Sequence, residues 1–229
     1  MEFSERQKKI IDLLSERSMS IMEIAQRLSS SEMTIRREIA DLKKMGVVDQ
    51  FRGGVSIKKA RSFQSFDFRS DIEKNEKMEL ARRAAELVQD GMLIYIDNST
   101  TCWYIVQFLG KFRDLKVVTN SAPVMNDLGN MGIKVKMASG NYVHRDKCVV
   151  GSETEEYIRN YRYDLAFLSS SGYNDKRIMS WSEAQINVRR AVIESAAKTY
   201  FLMTPMKKDR KSYFIACRTE DVELITLDK

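Results

Sequence analysis

Histidine is nearly absent from this 229-residue chain: only His144 occurs. A Ser-His-Asp triad or a multi-histidine metal centre would have to be built around that one side chain, so catalytic and metal roles are assigned to no residue. Cysteine is scarce as well. Cys102, Cys148 and Cys217 are widely spaced and odd in number, which argues against a disulfide framework or a cysteine-rich zinc site and suits a reducing cytoplasm. Proline occurs twice and glycine ten times, too few for a low-complexity or collagen-like chain. No apolar run approaches the roughly 18 residues of a membrane span. The first ten residues are charged and hold no signal core, so neither a membrane nor secretion is expected. What remains is a chain with 43% hydrophobic and 31% charged residues, long enough for one large or two ordinary domains with a real core.

Charge is unevenly placed. Residues 1–61 carry 13 basic and 9 acidic side chains, which is +4 of the chain's +6. The remaining 168 residues carry 25 against 23. A small basic module on a near-neutral body points to a polyanion, although such a surplus also serves ordinary solubility.

The module reads as three helices and a hairpin. Ser4 with Gln7, and Ser20 with Glu23, have capping-box spacing. Ile10, Ile11 and Leu14 share one helical face; Ile21, Ile24, Ala25 and Leu28 form a second stripe. After a tight Ser29-Ser30 connection, Ser31 caps a third helix to about Met45, with Ile35, Ile39 and Leu42 inward and Gly46 as its stop. Val47 to Phe51, Gly53-Gly54 and Val55 to Ile57 spell strand, turn, strand. This order is a winged helix-turn-helix over 1–57, and its natural partner is double-stranded DNA. With Ile35 facing inward, Met33 and Arg37 point away and Thr34 and Arg36 flank them. Arginine can bridge guanine O6 and N7; threonine can meet phosphate or a thymine methyl. Arg52 beside Gly53 and Gly54 suits a wing tip near phosphate. A plain solvated helix face is the competing reading of Arg36 and Arg37.

Residues 58–75 read as a linker. Lys58-Lys59-Ala60-Arg61 could track phosphates or be a solvated tether, and Phe63, Phe66 and Phe68 could dock it. From 76 to 229 strands and helices alternate. Helical stripes are expected at Met78 to Val88 and at Ala184, Val188, Ala191 and Val192, with a further helix from about Thr101 to Leu109. Strands are expected at 92–96, 116–120, 133–138, 164–168, 200–203, 213–217 and 222–227. The fold class is therefore α/β, a mainly parallel sheet covered on both faces. Ligands of such sheets sit at the carboxyl ends of strands. There the chain places Asp97, Ser99, Thr100 and Thr101, then Thr119, Asn120 and Ser121, then Ser169 to Gly172. Hydroxyls and free N–H groups at helix starts favour an anion such as phosphate, although serine and threonine there are often only caps.

The run Ser31-Glu32-Met33-Thr34-Ile35-Arg36-Arg37-Glu38-Ile39, with Leu42, Gly46 and the Arg52-Gly53-Gly54 wing, resembles the DeoR family of bacterial transcriptional regulators. That family shows S-x-x-T-I-R-R-D-L and H-G-G; Glu38 and Arg52 are the departures. The resemblance implies a rear domain similar to ribose-5-phosphate isomerases that senses a phosphorylated sugar or related metabolite. The family's D-x-G-T-T reads Asp97 to Thr101 with Ser99 for glycine, T-N-S is intact at Thr119 to Ser121, G-G is Ser139-Gly140, and E-A is Glu183-Ala184. G-A-D-G reads Ser169 to Gly172, and A-D-x-S-K reads Met203 to Lys207, so Lys207 stays while two carboxylates are gone. Effector contacts are thereby implied at these positions, Gly140, Gly172, Glu183 and Lys207 included; a sensor that has lost its effector is the alternative.

Three functions follow: an effector-responsive repressor of carbohydrate genes, an isomerase-like enzyme using the body alone, or a non-specific DNA-coating protein. The first is preferred, with no cofactor and with a homo-oligomer, dimer or tetramer, because one winged helix buries too little surface for tight specific binding.

Overall fold

A computed structural model describes residues 4–44, 47–57 and 65–227. The chain divides into two compact units, 1–73 and 74–229. Gly46, Lys58, Lys59 and Phe63 lie outside the described residues.

In the first unit, α1 (Glu5–Glu16) opens on a complete capping box: Ser4 Oγ accepts from the Gln7 amide at 3.1 Å and Gln7 Oε1 accepts from the Ser4 amide at 3.0 Å. At α2 (Ile21–Arg27) only half of that device forms. Ser20 Oγ accepts from the Glu23 amide at 3.1 Å, but the Glu23 carboxylate turns to Arg17 and Arg27 instead. A turn with Ser29 in the left-handed region leads to α3 (Glu32–Lys44). Ile10, Ile24, Ile35, Ile39 and Leu42 are fully buried and form the core, as their helical spacing requires. Strands β1 (Val48–Phe51) and β2 (Gly54–Ile57) pair antiparallel, Val48 opposite Ile57 and Phe51 opposite Gly54. Gly53 turns the hairpin at a φ of 99°, where a side chain would be strained. Met19 and Val55 exchange backbone hydrogen bonds of 3.0 and 2.8 Å, which pins the wing to the helices.

The span expected to be a linker contains a helix, α4 (Phe66–Asp71). Ser65 Oγ caps it by accepting from the Phe68 amide at 3.3 Å, and Phe66 and Phe68 are buried. At six residues it is shorter than the two turns that reveal a helical period. The next helix, α5 (Lys74–Ala85), begins inside the same span.

The second unit continues with β3 (Leu93–Ile96), α6 (Thr100–Trp103), β4 (Lys116–Thr119), α7 (Ala122–Asn130), β5 (Lys134–Met137), β6 (Asn141–Val143), β7 (Cys148–Val150), α8 (Ser152–Arg159) and β8 (Tyr163–Leu168). It closes with β9 (Gly172–Tyr173), β10 (Arg177–Ser180), α9 (Glu183–Ser195), β11 (Ala196–Leu202), β12 (Phe214–Arg218) and β13 (Glu223–Ile225). Six strands form one sheet in the order β13-β11-β8-β3-β4-β5, with every pair parallel. The chain leaves β3 in one direction, toward β4 and β5, and leaves β8 in the other, toward β11 and β13. The switch point therefore lies between the ends of β3 and β8.

Successive side chains alternate across this sheet. Ile94, Ile96, Val117 and Phe167 enter a core with Leu80, Ala84, Val124 and Leu128, from α5 and α7. Tyr95, Val118, Ala166 and Phe201 face the other way, into a core with Ile158, Val188, Ala191 and Val192, from α8 and α9. Both faces are covered, as expected of a parallel sheet. Among the described residues no helix is long and apolar enough to cross a membrane.

Three expectations need correcting. The helix placed at 101–109 is one α turn, Thr100–Trp103, continued as a 3-10 helix over Tyr104–Phe108. The strand placed at 213–217 does not join the parallel sheet. As β12 it pairs antiparallel with β10, which pairs with β9 in a separate sheet. A short apolar run carries no mark of which neighbour it will pair with. Finally, Ala184 is exposed, and the buried stripe of α9 runs through Ile186 and Arg189 instead.

Candidate DNA-binding surface and effector site

The outward face of α3 is set by its cap and its core residues. Ser31 Oγ accepts from the Thr34 amide at 3.2 Å and lies 2.8 Å from Thr34 Oγ1. Both hydroxyls thus hold the start of the helix. Ile35 is buried, so Met33, Arg36 and Arg37 are exposed. Arg36 pairs with Glu32 at 3.3 Å, and Glu38 pairs with Arg6 at 3.4 Å. Arg37 has no ion pair among the described residues. At the wing, Phe51, Arg52 and Gly53 are exposed and Gly54 is half-buried. A Cβ at Gly54 would meet the Phe51 ring at 3.0 Å and the Met19 carbonyl at 3.1 Å. Gly54 therefore lets the hairpin close, while Arg52 is the side chain it presents.

In the second unit the switch point is built around a buried carboxylate. Asp97 follows β3 directly. Its Oδ1 accepts from the Ser99 amide at 2.7 Å, and its Oδ2 accepts from the Ser169 amide and from Arg189 Nε, each at 3.2 Å. Ser99 Oγ accepts from the Cys102 amide at 3.0 Å and starts α6. Lys207 reaches the same place from beyond β11: its ammonium donates to Ser169 Oγ at 2.8 Å and to Thr101 Oγ1 at 3.3 Å. Ser169 Oγ in turn donates to the Leu202 carbonyl at 2.6 Å. Four chain segments thus converge where β3, β8 and β11 end. Thr100 and Thr101 are buried there, and burial pushes the neighbouring Cys102 thiol well above its ordinary value, with the Asp97 charge adding to it.

Other expected contacts hold the fold. Thr119 Oγ1 donates to the Ile96 carbonyl at 2.7 Å, tying β4 to β3. Asn120 accepts from the Tyr95 hydroxyl at 2.9 Å and donates to the Val149 carbonyl at 3.0 Å. Ser121 caps α7. Gly140 and Gly172 are sites of close approach: a Cβ would stand 2.0 Å from Thr154 Oγ1 and from the Arg210 carbonyl oxygen respectively. Glu183 is exposed in the first turn of α9 and makes no hydrogen bond to the Asp97 cluster.

Sequence reasoning missed Arg189. Its signal was a lone arginine on the apolar stripe of α9, three residues after Ile186 and three before Val192. An ionised side chain is kept on a buried face only where a partner waits. Its Nη1 is buried and has no hydrogen-bond partner among the described residues.

A winged helix-turn-helix followed by a parallel-sheet domain with a polar switch point defines a two-part DNA-binding regulator. The match to family models is specific: residues 6–61 match the DeoR-like helix-turn-helix domain, and residues 72–229 match the DeoR C terminal sensor domain. The chain belongs to the DeoR family of transcriptional regulators. It is 30% identical to an uncharacterized HTH-type transcriptional regulator, YulB, of Bacillus subtilis, over 100% of this chain and 90% of that protein. It is 26% identical to the glycerol-3-phosphate regulon repressor of Escherichia coli, over 93% and 85%. Among solved structures, eIF2B delta from Chaetomium thermophilum aligns at 16% identity with a TM-score of 0.51, covering 71% of this chain and 60% of that one. Ribose 5-phosphate isomerase A from Methanocaldococcus jannaschii aligns at 16% and 0.45, covering 60% and 56%.

Proposed function

We propose that this chain represses carbohydrate-metabolism genes and that a phosphorylated sugar or related metabolite alters its hold on the operator. The first unit binds DNA with α3 in the major groove, and the Arg52 wing meets phosphate. One such module buries only about 600–1,000 Å² on DNA, so the working form is a dimer or tetramer that presents several readers. The effector changes DNA binding by favouring one spacing of those readers over another.

One observation carries the sensing half. Lys207 stands 106 residues beyond Thr101 in sequence, yet its ammonium donates to that hydroxyl and to Ser169, at the ends of three strands. A cation among hydroxyls at a switch point suits a phosphorylated polyol. The relative named for a glycerol-3-phosphate regulon agrees with this chemistry. Catalysis is the weaker reading. The Asp97 carboxylate is already engaged by two amides and a guanidinium, so it is a poor proton shuttle. The chain is read as acting in the reducing cytoplasm, as its few, widely spaced cysteines suggest.

A thermal-shift panel of phosphorylated sugars and polyols on the full chain tests the reading. A true effector raises the melting temperature with concentration, and Thr100→Ala or Lys207→Ala abolishes the response. An effector response untouched by both substitutions would remove the site from this place.

A further inference from the structure

We propose that Met33 reads the 5-methyl group of a thymine in the major groove, and that Arg37, one turn later, reads a neighbouring guanine while Arg36 serves the backbone. This rests on the DNA-binding reading above and assigns roles within it.

The argument is one of elimination along the first two turns of α3. Ser31 and Thr34 bond to one another and hold the cap. Ile35 is wholly buried. Glu32 and Arg36 are engaged together at 3.3 Å, and Glu38 is turned to Arg6. Two side chains are left facing outward without such engagements: Met33, 80% exposed, and Arg37. They stand four residues apart, which places them on one face and about 6 Å apart along the helix axis.

An apolar side chain this exposed gains by leaving water, and it needs an apolar partner to do so. The major groove offers one apolar group, the thymine C5 methyl. Methionine suits it, because an unbranched thioether adapts to a small, shallow target. Arg37, with its fork uncommitted, can bridge guanine O6 and N7. Base pairs rise about 3.4 Å, so side chains about 6 Å apart reach bases within two steps of one another. The chemistry recognised is a T and a G in close succession. Arg36, tethered by Glu32, can still meet phosphate as a charge.

The full chain and its Met33→Ala, Arg36→Ala and Arg37→Ala variants are used to select duplexes from a random library. Each thymine of the parent's selected duplex is then replaced by deoxyuridine, which removes only the methyl. For the parent, one replacement weakens binding about fourfold, the worth of one buried methyl. That thymine lies within two steps of a guanine whose preference is lost in Arg37→Ala and kept in Arg36→Ala. Met33→Ala binds the thymine and uracil duplexes equally. All three side chains are exposed, so the melting temperatures match the parent's. The proposal is overturned if no replacement weakens the parent, if Met33→Ala keeps the parent's sensitivity, or if Arg36→Ala is the variant that loses the guanine. Enrichment of no duplex by the parent is a different result: it defeats the DNA-binding reading itself.

Discussion

Asp97 and Arg189, 92 residues apart in sequence, form an ion pair of 3.2 Å with side chains only 2% and 5% exposed. The pair ties the end of β3 to the middle of α9, and the Ser169 amide joins it on the same carboxylate oxygen. Removing one partner strands the other charge in the interior. Asp97→Ala is expected to cost about 3–5 kcal/mol. Asp97→Asn, which keeps an acceptor for the Ser99 amide, should cost less. Urea denaturation followed by circular dichroism reads both; an unchanged midpoint in Asp97→Ala would show that the pair holds nothing.

Arg52 offers a different signature from the α3 residues. If Arg52 meets phosphate at the wing tip, as proposed, it should strengthen binding to any duplex alike. Arg52→Ala is expected to lower affinity for selected and random DNA by the same factor and to flatten the slope of log affinity against log salt by about 1. A loss confined to one sequence would mean that the wing reads bases.

Two glycines should respond to alanine with opposite signs. Gly140 has a φ of 138°, and an added Cβ would lie 2.0 Å from Thr154 Oγ1 and 2.9 Å from the Val150 carbonyl. Strain and overlap together should cost at least about 2 kcal/mol in Gly140→Ala. Gly129 lies inside α7 with open space around it. Gly129→Ala should stabilise by about 0.5–1 kcal/mol, because alanine loses less backbone freedom in a helix. Melting temperatures of the two variants decide it.

The thiols give a pH test. Burial first, and the Asp221 charge second, push the Cys217 thiol up to about 12 from an ordinary 9.0. The folded chain holds this proton more tightly than the unfolded chain does. The group therefore supports folding below pH 9, and that support fades as the pH climbs toward 12. At pH 8 both Cys217 and Cys102 remain largely thiols, so iodoacetamide should leave the fully buried Cys102 unmodified in the native protein and should modify the half-buried Cys217 more slowly than in the denatured chain. Rapid native labelling of Cys102, mapped by mass spectrometry, would contradict its burial.

Much of the first unit was legible because its signals are local. Ser4 and Gln7 lie three residues apart, Ile35, Ile39 and Leu42 lie on one helical face, and Gly53 must turn the wing. The polar loops after β3, β4 and β8 were legible as loops for the same reason. Their division of labour was not. Thr119, Asn120 and Ser121 proved to be tied into the fold, whereas Thr101 and Ser169 were drawn toward Lys207. Nothing within three or four residues of any of them distinguishes the two fates. The short α4 was missed because six residues are too few to display a period.

Periodicity, caps and turn residues in the chain alone determined a winged helix ahead of an alternating α/β body, since each depends on neighbours within about one or two helical turns. Tertiary structure decided which strands pair, that β12 leaves the parallel sheet for β10, and that Arg189 crosses from α9 to Asp97. Those choices rest on contacts between residues tens of positions apart, where packing and charge pairing, rather than local conformational preference, set the free energy.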